Sequence, residues 1–110
     1  MLAEREVERL LVSRGWTILD RNWRGGGGEL DLVVGRDGVV HFVEVKARRT
    51  SPDDGLEAVT AKKRRKLVAA ANAWMARHAE PKDGYRMSVA AVVRREALWE
   101  VEWWWDAFDV

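Results

Sequence analysis

The chain has 110 residues, of which 47% are hydrophobic and 34% are charged, values typical of one globular domain. It contains no cysteine, which excludes disulfides and thiolate metal sites, and no apolar run approaches the ~18 residues that a membrane-spanning helix needs. Because the first residues are amphipathic and acidic rather than signal-like, we expect one cytoplasmic domain over residues 1–110 with no membrane partner.

The net charge of +1 conceals a strong separation of charge along the chain. Residues 61–95 carry ten basic and two acidic side chains, whereas residues 96–110 carry five acidic side chains and no basic one. A basic middle segment of this kind favours a polyanionic partner such as nucleic acid.

Hydrophobic periodicity and turn residues predict seven helices and strands in the order α-β-β-β-α-β-β. They are a helix over residues 3–14, strands over residues 16–22, 29–34 and 39–46, a helix over residues 61–79, and strands over residues 85–94 and 98–105. A short helical turn is also expected at Leu56, Ala58 and Val59, and Thr60 is predicted to cap the second long helix. The pattern indicates a single α/β domain.

The predicted hairpin of the second and third strands places its polar side chains on one face, because side chains alternate along a strand. That face carries Glu29, Asp31, Glu44 and Lys46, with Phe42 between them. The opposite face collects an apolar set suited to burial, namely Leu30, Leu32, Val34, Val43 and Val45.

The pairing of these two strands depends on the turn at residues 35–38. A tight turn that pairs Val34 with Val39 places Glu29 directly opposite Glu44. A slip of one residue would move the carboxylates to opposite faces, so the predicted cluster depends on this turn.

Carboxylates that converge beside one ammonium group repel each other and raise at least one pKa, unless they share a proton or a metal ion. Mg²⁺ or Mn²⁺ resolves this conflict, and such a cation can polarise a phosphodiester. Lys46 is then placed to orient water or to stabilise developing negative charge, and Glu29 joins Asp31 and Glu44 as a catalytic candidate. The alternative is a solvated ladder of cross-strand ion pairs.

Three motifs together resemble the YraN-like family of small bacterial proteins, which is similar in fold and motif to the PD-(D/E)xK nucleases of the restriction-endonuclease-like superfamily. The motifs are Arg21-Asn-Trp-Arg24, Gly28-Glu-Leu-Asp-Leu32 and Phe42-Val-Glu-Val-Lys46. The resemblance covers nearly the whole chain. It implies a restriction-endonuclease-like αβββαβ core, with a mixed central sheet flanked by helices, and the last predicted strand is an addition to that core.

The same resemblance implies roles for individual residues. Asp31 and Glu44 match the acidic metal ligands of the superfamily, and Lys46 matches its lysine. Superfamily members often add a glutamate from the first helix, and Glu4 is the position most similar to it, with Glu8 as the alternative. The implied reaction is hydrolysis of DNA or RNA with Mg²⁺ or Mn²⁺.

Basic residues around the predicted carboxylate cluster are candidates for phosphate contacts. They are Arg24, Arg48, Arg49, Lys62, Lys63, Arg64, Arg65 and Lys66. The last five span little more than one helical turn, so a solubilising helix end is the alternative interpretation. The glycines of residues 25–28 are expected to form a flexible lip beside the site.

Seven tryptophans are a large excess for this length. Trp16, Trp23 and Trp74 fit core positions, but Trp104 and Phe108 near the end of the chain have no obvious place. We therefore expect the Trp-rich C-terminal segment to form a homodimer contact.

The leading hypothesis is a divalent-metal-dependent nuclease. A non-catalytic nucleic-acid-binding or assembly protein that keeps the same fold is the second hypothesis, and a purely structural interaction domain is the third. Dependence on a metal ion separates the first two, and loss of binding when residues 62–66 are neutralised separates the second from the third.

Overall fold

The helices and strands follow one another in the predicted order α-β-β-β-α-β-β. In the computed structural model, which describes residues 2–48 and 59–110, they are α1 (Leu2–Ser13), β1 (Thr17–Gly25), β2 (Gly28–Arg36), β3 (Val39–Arg48), α2 (Ala61–Met75), β4 (Tyr85–Arg95) and β5 (Leu98–Phe108). The predicted turn at residues 56–59 lies outside the described residues except for Val59, which is buried.

The strands form one mixed sheet in the order β1-β2-β3-β4-β5. Three neighbouring pairs are antiparallel, and β3 and β4 are parallel. A parallel pair needs a crossover connection, and α2 lies in that crossover. The expected mixed α/β sheet with flanking helices and an additional C-terminal strand is confirmed.

Each face of the sheet is covered by one helix. On the first face, α1 packs Ala3, Val7 and Leu11 against a cluster that includes side chains of β2, β3 and β4. On the other face, α2 packs Leu67, Ala70, Ala71 and Trp74 against a second cluster. Burial on both sides explains why β4 is apolar without alternation, since every residue from Met87 to Val93 is buried.

The hairpin of β2 and β3 has a different register from the predicted one. Arg36 pairs with Val39, instead of Val34, because the turn consists of Asp37 and Gly38 alone. Both turn residues have positive φ, 51° and 82°, as the two-residue turn that matches strand twist requires. A shift of two residues does not by itself change the face of a side chain, and it moves Asp31, rather than Glu29, towards Glu44.

The second helix ends at Met75, four residues before the predicted end. His78 lies beyond it and stacks on the Trp74 indole at a centroid distance of 3.7 Å, while one ring nitrogen lies 2.7 Å from the Trp74 carbonyl oxygen. The His78 ring therefore lies against the Trp74 carbonyl oxygen, the group that would accept a backbone hydrogen bond from a further turn of α2. In residues 2–48 and 59–110, neither helix has the length and apolar content needed to cross a membrane.

Candidate metal and nucleic-acid site

The hydrogen-bonded ladder between β2 and β3 opens at Asp31. The described pairs end with Leu32 and Val43, and the next contact is a side-chain one, in which the Val45 backbone N–H donates to Asp31 Oδ2 at 2.8 Å. The Asp31 carboxylate thus takes the place of a strand carbonyl and is held between β2 and β3.

The regular alternation of β2 also changes at this point. Leu30 belongs to the cluster under α2, whereas Leu32 belongs to the cluster under α1, so the expectation that both share one face with Val34 is wrong. Asn22 lies between the two β1 residues that pair with Leu32 and Leu30, and its φ of 47° is in the left-handed region. An irregularity shared by two strands therefore places Asp31 where the sheet opens.

Glu44 on β3 is the buried acidic group of this site. Its side chain is only 4% exposed, and its Oε2 atom has no hydrogen-bond partner. The Lys63 Nζ lies 3.4 Å from this oxygen, an ion pair without hydrogen-bond geometry. An unsatisfied carboxylate oxygen is costly in a buried position, which marks the group as one held for another partner.

Burial raises the pKa of the Glu44 carboxyl to about 8. The neighbouring Asp31 carboxyl contributes to this rise, while the charges of Lys63 and Lys46 oppose it. The two carboxyl groups are therefore electrostatically coupled. The convergence of Asp31 and Glu44 on one cation stays a prediction, and this electrostatic coupling supports it.

Glu4 faces the same site from α1. Burial raises the pKa of Glu4, and the charges of Asp31 and Glu29 raise it further. Glu4 and Asp31 line a cleft of about 650 Å³ between α1 and the first two strands. Glu8, the alternative position, accepts hydrogen bonds from the Arg21 guanidinium, which lowers the pKa of Glu8. Glu4 is thus the α1 glutamate that remains electrostatically coupled to Asp31.

The described part of the chain contains no group of three or more His, Asp or Glu side chains close enough together to hold a metal ion. The acidic groups near the opening of the sheet are Asp31 and Glu44, with Glu4 across the cleft. Mg²⁺ is commonly held by one or two protein carboxylates, with water and phosphate oxygens completing the shell, so a pair of carboxylates fits such a cation.

The two other predicted catalytic residues, Glu29 and Lys46, form no ion pair with Glu44 among those described. Glu29 is not opposite Glu44, because the corrected register takes it past the end of the β2–β3 pairing, and its nearest described cation is Arg24 at 3.8 Å. Lys46 is two residues from Glu44 on β3, and its charge lowers the pKa of Glu44, but among the described ion pairs it is Lys63 that contacts this carboxylate.

The basic cluster at residues 62–66 does not act as one surface. Lys63 points to Glu44, and the Arg64 Nε donates to the Val59 carbonyl at 3.0 Å while its guanidinium lies over the Phe108 ring. Lys66 lines a second cleft of about 580 Å³ beside the glycine turn, and Lys62 and Arg65 are exposed. Arg49 and the side chain of Arg48 lie outside the described residues.

Sequence reasoning placed Lys63 among the phosphate contacts and did not connect it with Glu44. A signal for the connection was present. The Thr60 side chain accepts from the Lys63 backbone N–H at 3.2 Å, which confirms the predicted cap and places Lys63 in the first turn of α2. Lys63 is then four residues before the buried Leu67, so it lies on the apolar stripe that faces the sheet.

The glycine turn is packed against α2 and is not a lip. A Cβ atom on Gly26 would lie 2.5 Å from the Ala69 carbonyl oxygen, and one on Gly28 would lie 2.5 Å from that of Lys66. Such distances leave no room for a side chain. Two of the glycines are therefore needed for close approach of the hairpin to the helix backbone, a structural role.

The C-terminal aromatic residues have places in the core that sequence reasoning missed. Trp104 and Phe108 pack against the cluster under α2, whereas Trp99 and Trp103 pack against the cluster under α1. The pairing of β5 with β4 shifts near its end, where Asp106 has a φ of 53°. The irregularity follows Trp104, which lies on the face opposite Trp103 as alternation along the strand predicts.

Comparison with known proteins identifies the chain's relatives. The family model described as "Uncharacterised protein family UPF0102" matches residues 3–92. A UPF0102 protein of Methylocella silvestris is 36% identical over 94% of this chain and 77% of its own length. UPF0102 proteins of Nitratidesulfovibrio vulgaris and Nitrobacter winogradskyi are 40% identical over 97% of this chain and 81% of their length, and 45% identical over 71% and 65%, respectively.

Proposed function

The chain belongs to the uncharacterised protein family UPF0102, the YraN-like family that its motifs resemble, and we propose that it is a divalent-metal-dependent nuclease acting on DNA or RNA. The observation that carries the proposal is Glu44, a buried carboxylate with an oxygen that has no hydrogen-bond donor, electrostatically coupled to Asp31 where the sheet opens. A stable fold has no need of such an arrangement, whereas a cation site does.

Asp31 and Glu44 are the residues that would hold Mg²⁺ or Mn²⁺. A bound cation of this type lowers the pKa of water and neutralises negative charge on a phosphodiester. Asp31 is already oriented by the Val45 backbone N–H, so binding requires little rearrangement of its side chain. Glu4 adds negative charge across the cleft, which increases the attraction for a cation.

The chain's own cations supply the rest of the chemistry in this proposal. Lys46 follows Glu44 by two positions on β3 and is near enough to lower its pKa. It is placed to hold a water molecule or to stabilise negative charge that develops on the phosphate during attack. Exposed Lys62, Arg65 and Arg24 would bind the phosphate backbone without reading base sequence.

Cleavage assays with purified variants test the proposal. A panel of single-stranded, duplex and branched DNA and RNA is incubated with Mg²⁺ or Mn²⁺, and the rate of wild type is compared with that of the variants. Asp31→Ala and Glu44→Ala should abolish cleavage and metal binding together. Lys46→Ala should keep metal binding and lower turnover by about 10² or more, as loss of one electrostatic donor does elsewhere.

Lys46→Arg is the matched control, because a planar guanidinium does not replace a compact ammonium group. It should restore little of the lost turnover. Equal cleavage by wild type and all variants would assign the activity to a contaminant and overturn the proposal. Salt-dependent binding without cleavage would then support the second hypothesis, a non-catalytic nucleic-acid-binding protein of the same fold.

We also propose that β5 contributes to a homodimer. This strand is at one edge of the sheet, and Trp105 on it remains 40% exposed even though Trp104 and Phe108 are packed inside. An edge strand can pair with that of a second copy. Light scattering over a dilution series tests this, and a monomer at every concentration would contradict it.

A further inference from the structure

Lys63 makes a contact that its neighbours do not make. Its Nζ lies 3.4 Å from Glu44 Oε2, the oxygen that has no hydrogen-bond donor. The carboxylate side chain is 4% exposed, whereas the lysine side chain is 39% exposed. One end of this ion pair is therefore fixed in the protein, and the other reaches in from the solvent.

The basic residues next to Lys63 are engaged elsewhere or are exposed. Arg64 is held by the Val59 carbonyl and by Phe108, and Lys66 borders the glycine turn. Lys62 is exposed. Among the described ion pairs, the one to Glu44 is made by Lys63, so this lysine is the counter-ion of the buried carboxylate.

A buried carboxylate needs a compensating charge, and Lys63 supplies it while no divalent cation is bound. A divalent cation on the same oxygen would repel the ammonium group, because both are positive and would compete for one acceptor. Lysine is suited to leave, since its charge is compact and its four-carbon stem is flexible. Its partial exposure gives it a path outward.

We propose that Lys63 is the resident counter-ion of Glu44, that a divalent cation displaces it, and that the displaced ammonium group then binds a substrate phosphate. This inference rests on the proposed function, because it requires the cation to bind at Asp31 and Glu44. It divides the basic cluster into two kinds of residue. Lys62 and Lys66 are available to phosphate at all times, and Lys63 is available only when the cation is bound.

The first test labels lysines in the folded wild-type protein. A brief pulse of acetic anhydride, followed by mass spectrometry, measures the acetylation rate of Lys63 and Lys62 with and without Mg²⁺. We expect Mg²⁺ to raise the rate at Lys63 several-fold, because the amine leaves its ion pair, and to change the rate at Lys62 little. In Glu44→Gln, Lys63 should react fast in both conditions. This measurement does not require a Lys63 variant to fold.

The second test uses the salt dependence of binding to a fluorescein-labelled DNA duplex, with Ca²⁺ as the cation. Each phosphate contact contributes ~0.9 to the slope of log affinity against log salt. Lys63→Met should lower that slope by about this amount with Ca²⁺ and leave it unchanged without Ca²⁺. Lys66→Met, the matched control, should lower it equally in both conditions.

The outcomes separate this inference from the proposed function. If isothermal titration detects no Mn²⁺ binding to wild type, the metal site fails and the inference fails with it. If Mn²⁺ binds and Glu44→Gln abolishes binding, but Lys63 acetylation does not respond, the inference is overturned while the metal site stands. An equal effect of Lys63→Met on the slope with and without Ca²⁺, or no binding to the duplex in either condition, overturns the phosphate step.

Discussion

Two buried polar side chains lie three residues apart on β3, and their surroundings are opposite in kind. His41 shares a hydrogen bond with the Ser88 hydroxyl at 2.9 Å and contacts the rings of Trp16 and Trp105 edge-on. Glu44 has a carboxylate oxygen without a donor and one partly exposed counter-ion, Lys63. The histidine is satisfied by the fold, whereas the carboxylate is not.

The electrostatics follow the same division. Burial, and then the charge of Arg86, lower the pKa of His41 to about 4, so the ring is neutral near pH 7. Burial and the neighbouring Asp31 raise the pKa of Glu44 to about 8, and the charges of Lys63 and Lys46 oppose the rise. Burial alone therefore does not mark a functional group. An unmet bonding requirement beside a cleft does.

The largest effect expected from this comparison is on activity. Glu44→Gln keeps the shape of the side chain and removes the charge, so it should abolish metal-dependent cleavage, a loss of about 10² or more. Its free energy of unfolding should not fall, because a buried ionisable group without a donor is being replaced. Cleavage rates and urea unfolding measure the two effects.

His41→Phe is the matched control, since it also replaces a buried titratable group on β3. It should lose stability and keep cleavage. If Glu44→Gln instead loses stability while retaining cleavage, the carboxylate has the structural role assigned to His41, and the distinction between the two residues fails.

The next effect is on the pH dependence of stability. The pKa of Glu44 is raised from 4.5 to about 8, so its contribution is present below pH 4.5 and is lost as pH rises through 8. The pKa of His41 is lowered from 6.5 to about 4, so its contribution is present above pH 6.5 and is lost as pH falls through 4. Each changes by ~1.4 kcal/mol per pH unit within its window.

The two windows overlap, and there the contributions have opposite sign. Between about pH 4.5 and 6.5, Glu44 and His41 should cancel in the wild type, which then loses stability from pH 6.5 to 8. As pH rises from 4.5 to 6.5, the free energy of unfolding of Glu44→Gln should increase, because only the contribution of His41 remains. That of His41→Phe should decrease over the same range, because only the contribution of Glu44 remains. Urea unfolding in steps of pH measures all three proteins, and parallel curves would refute the opposite signs.

The smallest effect is confined to the aromatic end of the sheet. Trp105 stacks between Trp16 and Trp103, with centroid distances of 5.4 and 4.8 Å, but is itself 40% exposed. Trp105→Ala should therefore lower the free energy of unfolding by about 1–2 kcal/mol, less than a buried tryptophan would, and leave cleavage unchanged. Thermal unfolding and the cleavage assay measure these two effects. A loss of cleavage would contradict the prediction and show that Trp105 affects the site at Asp31 and Glu44.

The sequence was informative wherever the result depends on alternation alone. The coupling of Asp31 with Glu44 was within reach of the sequence, because an error of two residues in the turn does not by itself change the face of a side chain. The partner of Glu44 was not predictable in the same way. Whether Glu29 or Asp31 approaches it depends on the positive φ of Asp37, a feature of one residue.

Departures from regular strands account for the other errors. Positive φ at Asn22 accompanies the place where Leu30 leaves the face that alternation assigns it. The contact of Lys63 with Glu44 joins the first turn of α2 to β3. The Thr60 cap and the spacing to Leu67 place Lys63 on the inward side of α2, but the carboxylate that it meets is known only from the packing of α2 on the sheet.

The position of β5 has a consequence for the behaviour of the protein when it is partly unfolded. Its pairing with β4 covers a strand whose residues 87–93 are uncharged, rich in valine and fully buried. If β5 detaches, this segment becomes an exposed edge of the kind that seeds intermolecular β-aggregation. Arg86 on one side and Arg94 and Arg95 on the other then act as charged gatekeepers, so loosening of the last strand should favour aggregation most where these arginines are neutralised.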